Sequence, residues 1–481
     1  MKSTLDFFKE ICAIPHGSYN IDSISDYLVD FAKERGLFYV QDELKNVIIK
    51  KPASLGYENV PGIILQGHMD MVAVKTADCK KDMAVEGLDL MEEGGYLFAE
   101  NTSLGGDDGI AIAMALHILD DDSIIHPSLE CIFTVNEEVG MDGAVGIDMS
   151  VIEGRKLINI DSEEEGVITV SCAGGVRVCP YLKIKKSPVK GNVYSVKITG
   201  LLGGHSGTSI HLKRANANIL AGRLLDDMRS LSPIKIISIE GGEKDNAIAN
   251  YAHITFSSNT DYDELDDCIK KFNSKVLNEY RGRDDSIKVS LEELEKRLDK
   301  ESDSPNYLFR ECIDNTDSII DALTSVPDGV VKMCDYTDMV ETSLNLGVMR
   351  LEDDRFTLDF CVRSSVSADK EALKKRVSDT VKASGFIVEC KGDYPAWEYN
   401  ENSVLTNQIV KCYEDVYGEK PVVTGVHAGL ECGILRDKIK DLDCVSIGPN
   451  ILNIHTVKEK LDLASCERTE KLVLEVLKFR E

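Results

Sequence analysis

Along the first 185 residues, short apolar runs alternate with stretches of helical spacing. Residues 21–35 carry apolar side chains at helical intervals, whereas 46–49, 62–66, 129–135 and 156–160 are brief apolar runs with strand character. Residues 109–119 are almost wholly apolar for eleven positions, which predicts a helix buried on most sides. Strands alternating with helices in this way predict an α/β domain with a mixed sheet covered on both faces.

The texture changes near residue 187. Residues 193–198 alternate with period two, as a one-sided sheet does. A helical segment at 215–228, strands at 234–239 and 252–257, and a charged helix at 264–280 come next. A similar succession continues to about 392, with a hairpin through 345–350 and 356–363 and a helix at 370–383. This predicts two α+β units of about 100 residues each, without a sequence repeat between them. After residue 393 a helix (404–417), a glycine-rich turn and a buried strand (443–447) return to the first style. The expected organisation is one α/β domain, residues 1–186 and 393–481, split by an inserted α+β domain at 187–392.

Composition changes this picture little. An apolar fraction of 43% and a charged fraction of 29% over 481 residues are those of a soluble globular protein. The start lacks an apolar signal core and no run approaches the ~18 apolar residues of a membrane span, so no membrane association and a cytoplasmic location are expected. A net charge of −28 argues against nucleic acid, whose phosphates it would repel. The fourteen cysteines never form Cys-x-x-Cys, which points to reduced, buried thiols rather than a thiolate zinc site. A metal site here would be built from histidine and carboxylate.

Such residues recur in one context, just past the end of an apolar strand or loop, where open α/β sheets bind ligands. Gln66-Gly67-His68-Met69-Asp70 places an acid two residues after a histidine, on the same side of an extended chain. Asp70 could then hold one ring nitrogen of His68 and leave the other for a metal. Gly105-Gly106-Asp107-Asp108-Gly109 precedes the buried helix; an N-cap would explain one aspartate, but not two beside three glycines. Glu137 and Glu138 stand side by side where a strand runs out, and Asp161 ends another. Each is compatible with a solvated turn. His455, delivered by the returning segment, is compatible with an ordinary loop histidine. Taken together, His68, Asp107, Glu138, Asp161 and His455 exceed what one tetrahedral zinc needs. They suit two divalent ions about 3.5–4 Å apart, with Asp107 between them.

That order of motifs resembles the di-zinc aminopeptidase and carboxypeptidase family, and most closely its aminoacyl-histidine dipeptidase (Xaa-His dipeptidase) branch. The similar stretches are "FFKEICAIPHGSYN", "NTSLGGDDGIAIAMAL", "NIDSEEEG", "GLLGGHSG", "DFCVRSS" and "HAGLECG", and they span essentially the whole chain. The resemblance implies metal ligands at His68, Asp107, Glu138, Asp161 and His455, with Asp107 shared. It implies Glu137 as general base toward a water activated by the metals, and Asp70 as the residue orienting His68. It implies His205 as a stabiliser of the developing oxyanion, reaching into the partner's site in a homodimer formed through the inserted lid domain. Asn246, Arg363 and Gly429 match substrate-contacting positions, an arginine fork being suited to a free carboxylate; a surface ion pair is the alternative for Arg363. The family usually has a proline after the Asn246 position, whereas this chain reads Asn246-Ala247-Ile248-Ala249. The implied cofactor is two zinc ions, with cobalt or manganese as alternatives. The implied activity is hydrolysis of dipeptides, Xaa-His dipeptides among them. A tripeptide aminopeptidase or an N-acyl amino acid deacylase could use the same site; a non-catalytic binding protein would be expected to lack the base or a ligand.

Overall fold

The computed structural model describes residues 2–295, 310–335 and 337–480. The chain forms two compact units. One comprises Met1–Cys172, Trp397–Gly425 and Leu430–Glu481, the other Ala173–Ala396 and Val426–Gly429.

The first unit is built on an eight-stranded mixed sheet. Its order is Phe38–Gln41, Val47–Lys51, Leu129–Thr134, Ile63–His68, Lys156–Asn159, Asp443–Ser446, Val167–Cys172, Val422–Val426. The four strands from Leu129–Thr134 to Asp443–Ser446 run parallel, and nearly all their side chains are buried. With both faces covered, neither alternating set meets water, which is why these strands read as continuous apolar runs. Parallel strands also end at one edge. His68 stands opposite Thr134 and Gln66 opposite Asn159, so three chain segments leave the sheet side by side.

The apolar run at 109–119 lies in the helix Gly106–Asp120, buried at every position but His117 and Asp120. It packs on the helix Thr4–Cys12 and on Ile63–His68. Backbone angles depart from helical values at Asp107 and Asp108, so regular turns begin where the apolar run does. At the other end the buried Lys51 ammonium donates to the carbonyls of Ile118 (3.4 Å), Leu119 (3.0 Å) and Asp121 (3.2 Å), and pairs with Asp122 at 3.2 Å. A cation there satisfies carbonyls that the last helical turn leaves open.

The second unit carries a nine-stranded antiparallel sheet over one apolar core. The expected hairpin is Val340–Leu351 with Arg355–Ser364. The helices Ala217–Arg229, Tyr262–Glu279, Thr316–Ser325 and Ser367–Ala383 supply the facing apolar side chains. Two residue pairs, Glu240 with Arg350 and Gly241 with Met349, join its halves into one sheet. Gly174–Lys183, which precedes the expected change at 187, lies in this sheet between Arg355–Ser364 and Ile387–Tyr394. Its two opening glycines and Pro180, residues that strands disfavour, hid it from the pattern. Among the described residues no helix is long and apolar enough to cross a membrane.

Lys51→Met keeps the aliphatic stem and leaves the three carbonyls without their cation. The expected loss is about 1.5–3 kcal/mol, read as a lower urea midpoint with unchanged slope for the unfolding of the first unit. An unmoved midpoint would contradict the capping role.

Candidate metal centre

His68 ends the strand Ile63–His68, wholly buried at the sheet's carboxyl edge. Its Nδ1 lies 2.9 Å from the Asp70 carbonyl oxygen and 3.6 Å from Asp70 Oδ1. Its Nε2 lies 3.0 Å from Asp107 Oδ1 and 3.6 Å from Asp161 Oδ1. The preceding Gly67 has a steric reason: a Cβ there would come within 2.6 Å of both Ala111 Cβ and Asp108 Oδ2. Without it, the buried helix could not approach so closely. Asp70 is itself held, Oδ2 accepting from Ser18 Oγ (2.8 Å) and Oδ1 from the Glu137 amide (2.9 Å).

Asp107 stands between two histidines. Its Oδ1 faces His68, and its Oδ2 lies 3.1 Å from His455 Nε2. The loop that presents it is held by Glu459, a buried carboxylate accepting from the amides of Leu104 (2.9 Å), Gly105 (3.2 Å) and Gly106 (2.8 Å). Glu459 lies four residues after His455, so one short segment both supplies a histidine and fixes the loop opposite it. Pattern reading missed Glu459, as a lone acid in a polar loop carries no signal. It also missed Ser18, and gave no role to Asp108, whose Oδ2 accepts from the His68 amide at 3.2 Å.

The paired glutamates lie on one 3₁₀ turn, Glu137–Val139, entered through Asn136 (φ 55°) and left through Gly140 (φ 141°). Glu138 Oε1 reaches His455 Nε2 at 2.9 Å, while the Glu137 amide is tied to Asp70. Neighbours in sequence thus belong to different parts of the site.

Burial of acids dominates the electrostatics, with their mutual repulsion a smaller cause. Burial pushes Glu137 well above the usual carboxyl range, and pushes Asp161 and Glu163 each up to about 7. Asp107 is the exception. Burial acts against its charge, but hydrogen bonds from His455 and His68 more than offset this and hold it below the usual range. His455 is raised to about 10 by its hydrogen bonds to Asp107 and Glu138.

These donors fit divalent cations. Asp107 and Asp161 lie around His68 Nε2, and Asp107 and Glu138 around His455 Nε2. Donor atoms of His68, Asp107 and Glu138 lie within 4.8 Å of one another, as do those of His68, Asp108 and Asp161. All are nitrogen and oxygen, as zinc, manganese or cobalt accept. Cations would also relieve the repulsion among the carboxylates.

The remaining sequence-predicted residues belong to the second unit. His205 pairs with Ala247 in a two-residue ladder, and the Ser206 amide donates to the Asn246 carbonyl at 2.8 Å. His205 Nδ1 accepts from the amides of Gly207 (3.2 Å) and Thr208 (3.1 Å), which assigns its proton to Nε2. Burial, then the charge of Arg363, lowers its pKa and keeps the ring neutral. Asn345 Nδ2 donates to the carbonyls of Asp245 (3.1 Å) and Ala247 (2.9 Å), clamping the peptide on both sides of Asn246 where the proline is missing. Arg363 is buried and donates to the Tyr394 hydroxyl at 2.8 Å. Gly429 closes the short segment Val426–Gly429, anchored by the Ala173 amide on the Val426 and Ala428 carbonyls. The same segment holds His427, 2.7 Å from Ser343 Oγ and pushed down to about 3 by burial and Arg363; pattern reading gave it no role.

Residues 64–478 match the family described as Peptidase family M20/M25/M40. The chain is 33% identical over 477 residues to the cytosol non-specific dipeptidase of Escherichia coli (strain K12), across 98% of this chain and 96% of that protein. Its structure is similar to that of an aminoacylhistidine dipeptidase from Vibrio alginolyticus, with a TM-score of 0.87 and 31% identity over 99% and 96% of the two chains. A tripeptidase from Staphylococcus aureus subsp. aureus Mu50 gives a TM-score of 0.56 at 16% identity over 99% and 97%, a likeness of fold alone.

His455→Ala removes the one nitrogen shared by Asp107 Oδ2 and Glu138. After dialysis against limiting zinc, elemental analysis is expected to find about half the wild-type metal content; full content would remove His455 from the ligand set.

Proposed function

The chain belongs to peptidase family M20/M25/M40, and on that premise we propose that its centre hydrolyses the peptide bond of dipeptides, Xaa-His dipeptides among them, with Glu137 as general base. The carrying observation is Asp107, which offers one oxygen to His68 and the other to His455. A glutamate outside both donor sets stands one residue from Glu138. The two closely similar relatives are named as dipeptidases, which favours a dipeptide substrate over the tripeptide or N-acyl alternatives.

Two divalent cations, zinc in our reading, would polarise the scissile carbonyl and acidify the attacking water. His68, Asp107 and Asp161 would hold one, and His455, Asp107 and Glu138 the other. Glu137 takes the proton from the water and passes it to the leaving amine. Asp70 serves both tasks: its carboxylate holds the Glu137 amide, and its backbone carbonyl meets His68 Nδ1. His205, with its proton on Nε2, is a donor for the oxyanion that develops at the carbonyl. Arg363 suits the substrate's free carboxylate, and Asn246 and Gly429 its backbone. We further propose a homodimer formed through the second unit, and the cytoplasm as the working compartment, in line with the name of the Escherichia coli relative.

Metal-stripped protein reloaded with zinc, manganese or cobalt should cleave dipeptides and leave a tripeptide and an N-acetyl amino acid untouched. Glu137→Gln should keep its metal and lose at least about 100-fold in kcat. Turnover near wild type in that variant would refute the base assignment. Cleavage of the tripeptide or acyl substrate in place of dipeptides would overturn the substrate assignment and spare the centre.

A further inference from the structure

Behind the metal centre lies a buried polar network that the catalytic reading leaves without a task. Glu431, the first residue of the helix Glu431–Lys438, is 0% exposed. Its Oε2 accepts from Gln66 Nε2 at 2.6 Å and from Thr134 Oγ1 at 2.6 Å. Gln66 Oε1 in turn accepts from Asn159 Nδ2 at 2.7 Å. Gln66, Thr134 and Asn159 are all buried. Among the described residues no lysine or arginine pairs with Glu431.

Stability alone gives no reason for this arrangement. A carboxylate buried without a cation costs several kcal/mol, and well-packed apolar side chains of similar size are often as stable or more so. The positions of its partners supply a reason. Gln66 lies two residues before His68 on the same strand face, and Asn159 ends its strand two residues before Asp161. Thr134 stands directly opposite His68 in the sheet and leads into Glu137 and Glu138. Gln66 stands opposite Asn159. The three partners therefore come from the three parallel strands that deliver His68, the glutamate pair and Asp161, a few residues before each. Glu431 is the only member of the network supplied by a different part of the chain.

We propose that Glu431 is a positioning residue: by accepting from Gln66 and Thr134 it locks the ends of three strands at the spacing two metal ions require. Only Oε2 is used, and Oε1 is buried without a hydrogen-bond partner. A glutamine can therefore keep both bonds through its carbonyl oxygen, whereas methionine keeps the volume and loses both. The inference rests on the metal-centre reading.

The test titrates zinc alone into metal-free protein against a chromogenic chelator, with kcat and KM of the reloaded enzyme alongside. Glu431→Met should weaken zinc binding about 10–100-fold and lower kcat while leaving KM nearly unchanged. Glu431→Gln should stay within about threefold of wild type in affinity, since it keeps both bonds. Lys51→Met, destabilised far from the centre, should bind zinc as wild type does, separating positioning from general loosening. If Glu431→Met fails to fold, Thr134→Val removes one of the two bonds and should still weaken zinc binding severalfold. Unchanged zinc affinity in a folded Glu431→Met or Thr134→Val variant would overturn the proposal, as would equal damage in Glu431→Gln and Glu431→Met. A wild-type protein that takes up no zinc would instead sink the metal-centre reading.

Discussion

One carboxylate facing two imidazoles is the constraint around which the first unit is arranged. Asp107 can meet His68 at 3.0 Å and His455 at 3.1 Å only if a strand end, a helix start and a distant loop converge within a few ångströms. The parallel sheet brings the strand ends to one edge. The buried helix Gly106–Asp120 presses close enough for Gly67 to tolerate no side chain. Glu459 then ties the loop before Asp107 to the segment carrying His455.

The same convergence has an energetic consequence. Asp161 is raised to about 7 by burial, far above the ~3.9 of an unfolded aspartate. The folded metal-free chain thus binds this proton more tightly than the unfolded one. The stability so gained is full below pH about 4 and is lost as the pH rises through about 7. At neutral pH burial of this one carboxylate therefore works against the metal-free fold, whereas Asp107, held low, and His455, raised to about 10, work for it; bound cations would favour the ionised acids.

Much of the architecture was legible in the sequence because burial writes itself into hydrophobic pattern. The helix at 109–119 and the parallel strands arise from runs of apolar residues, and the hairpin strand Arg355–Ser364 from alternation. The candidate site was legible to the extent that His68, Glu137, Glu138, Asp161 and His455 each follow such a run and Asp107 precedes one. What the sequence hid was the support. Glu459, Glu431 and Ser18 act through partners more than fifty residues away, and a carboxylate bound to distant amides looks like any other acid. Gly174–Lys183 was hidden for another reason, since it opens on two glycines and contains Pro180, residues that strands disfavour.

Everything proposed for the centre depends on Asp107 being shared by two cations. Crystals grown with zinc and measured on both sides of the zinc absorption edge test this directly. Two anomalous peaks about 3.5–4 Å apart, each beside one Asp107 oxygen and one of the two histidines, are the predicted result. A single peak, or a pair that leaves Asp107 uncoordinated, would contradict it.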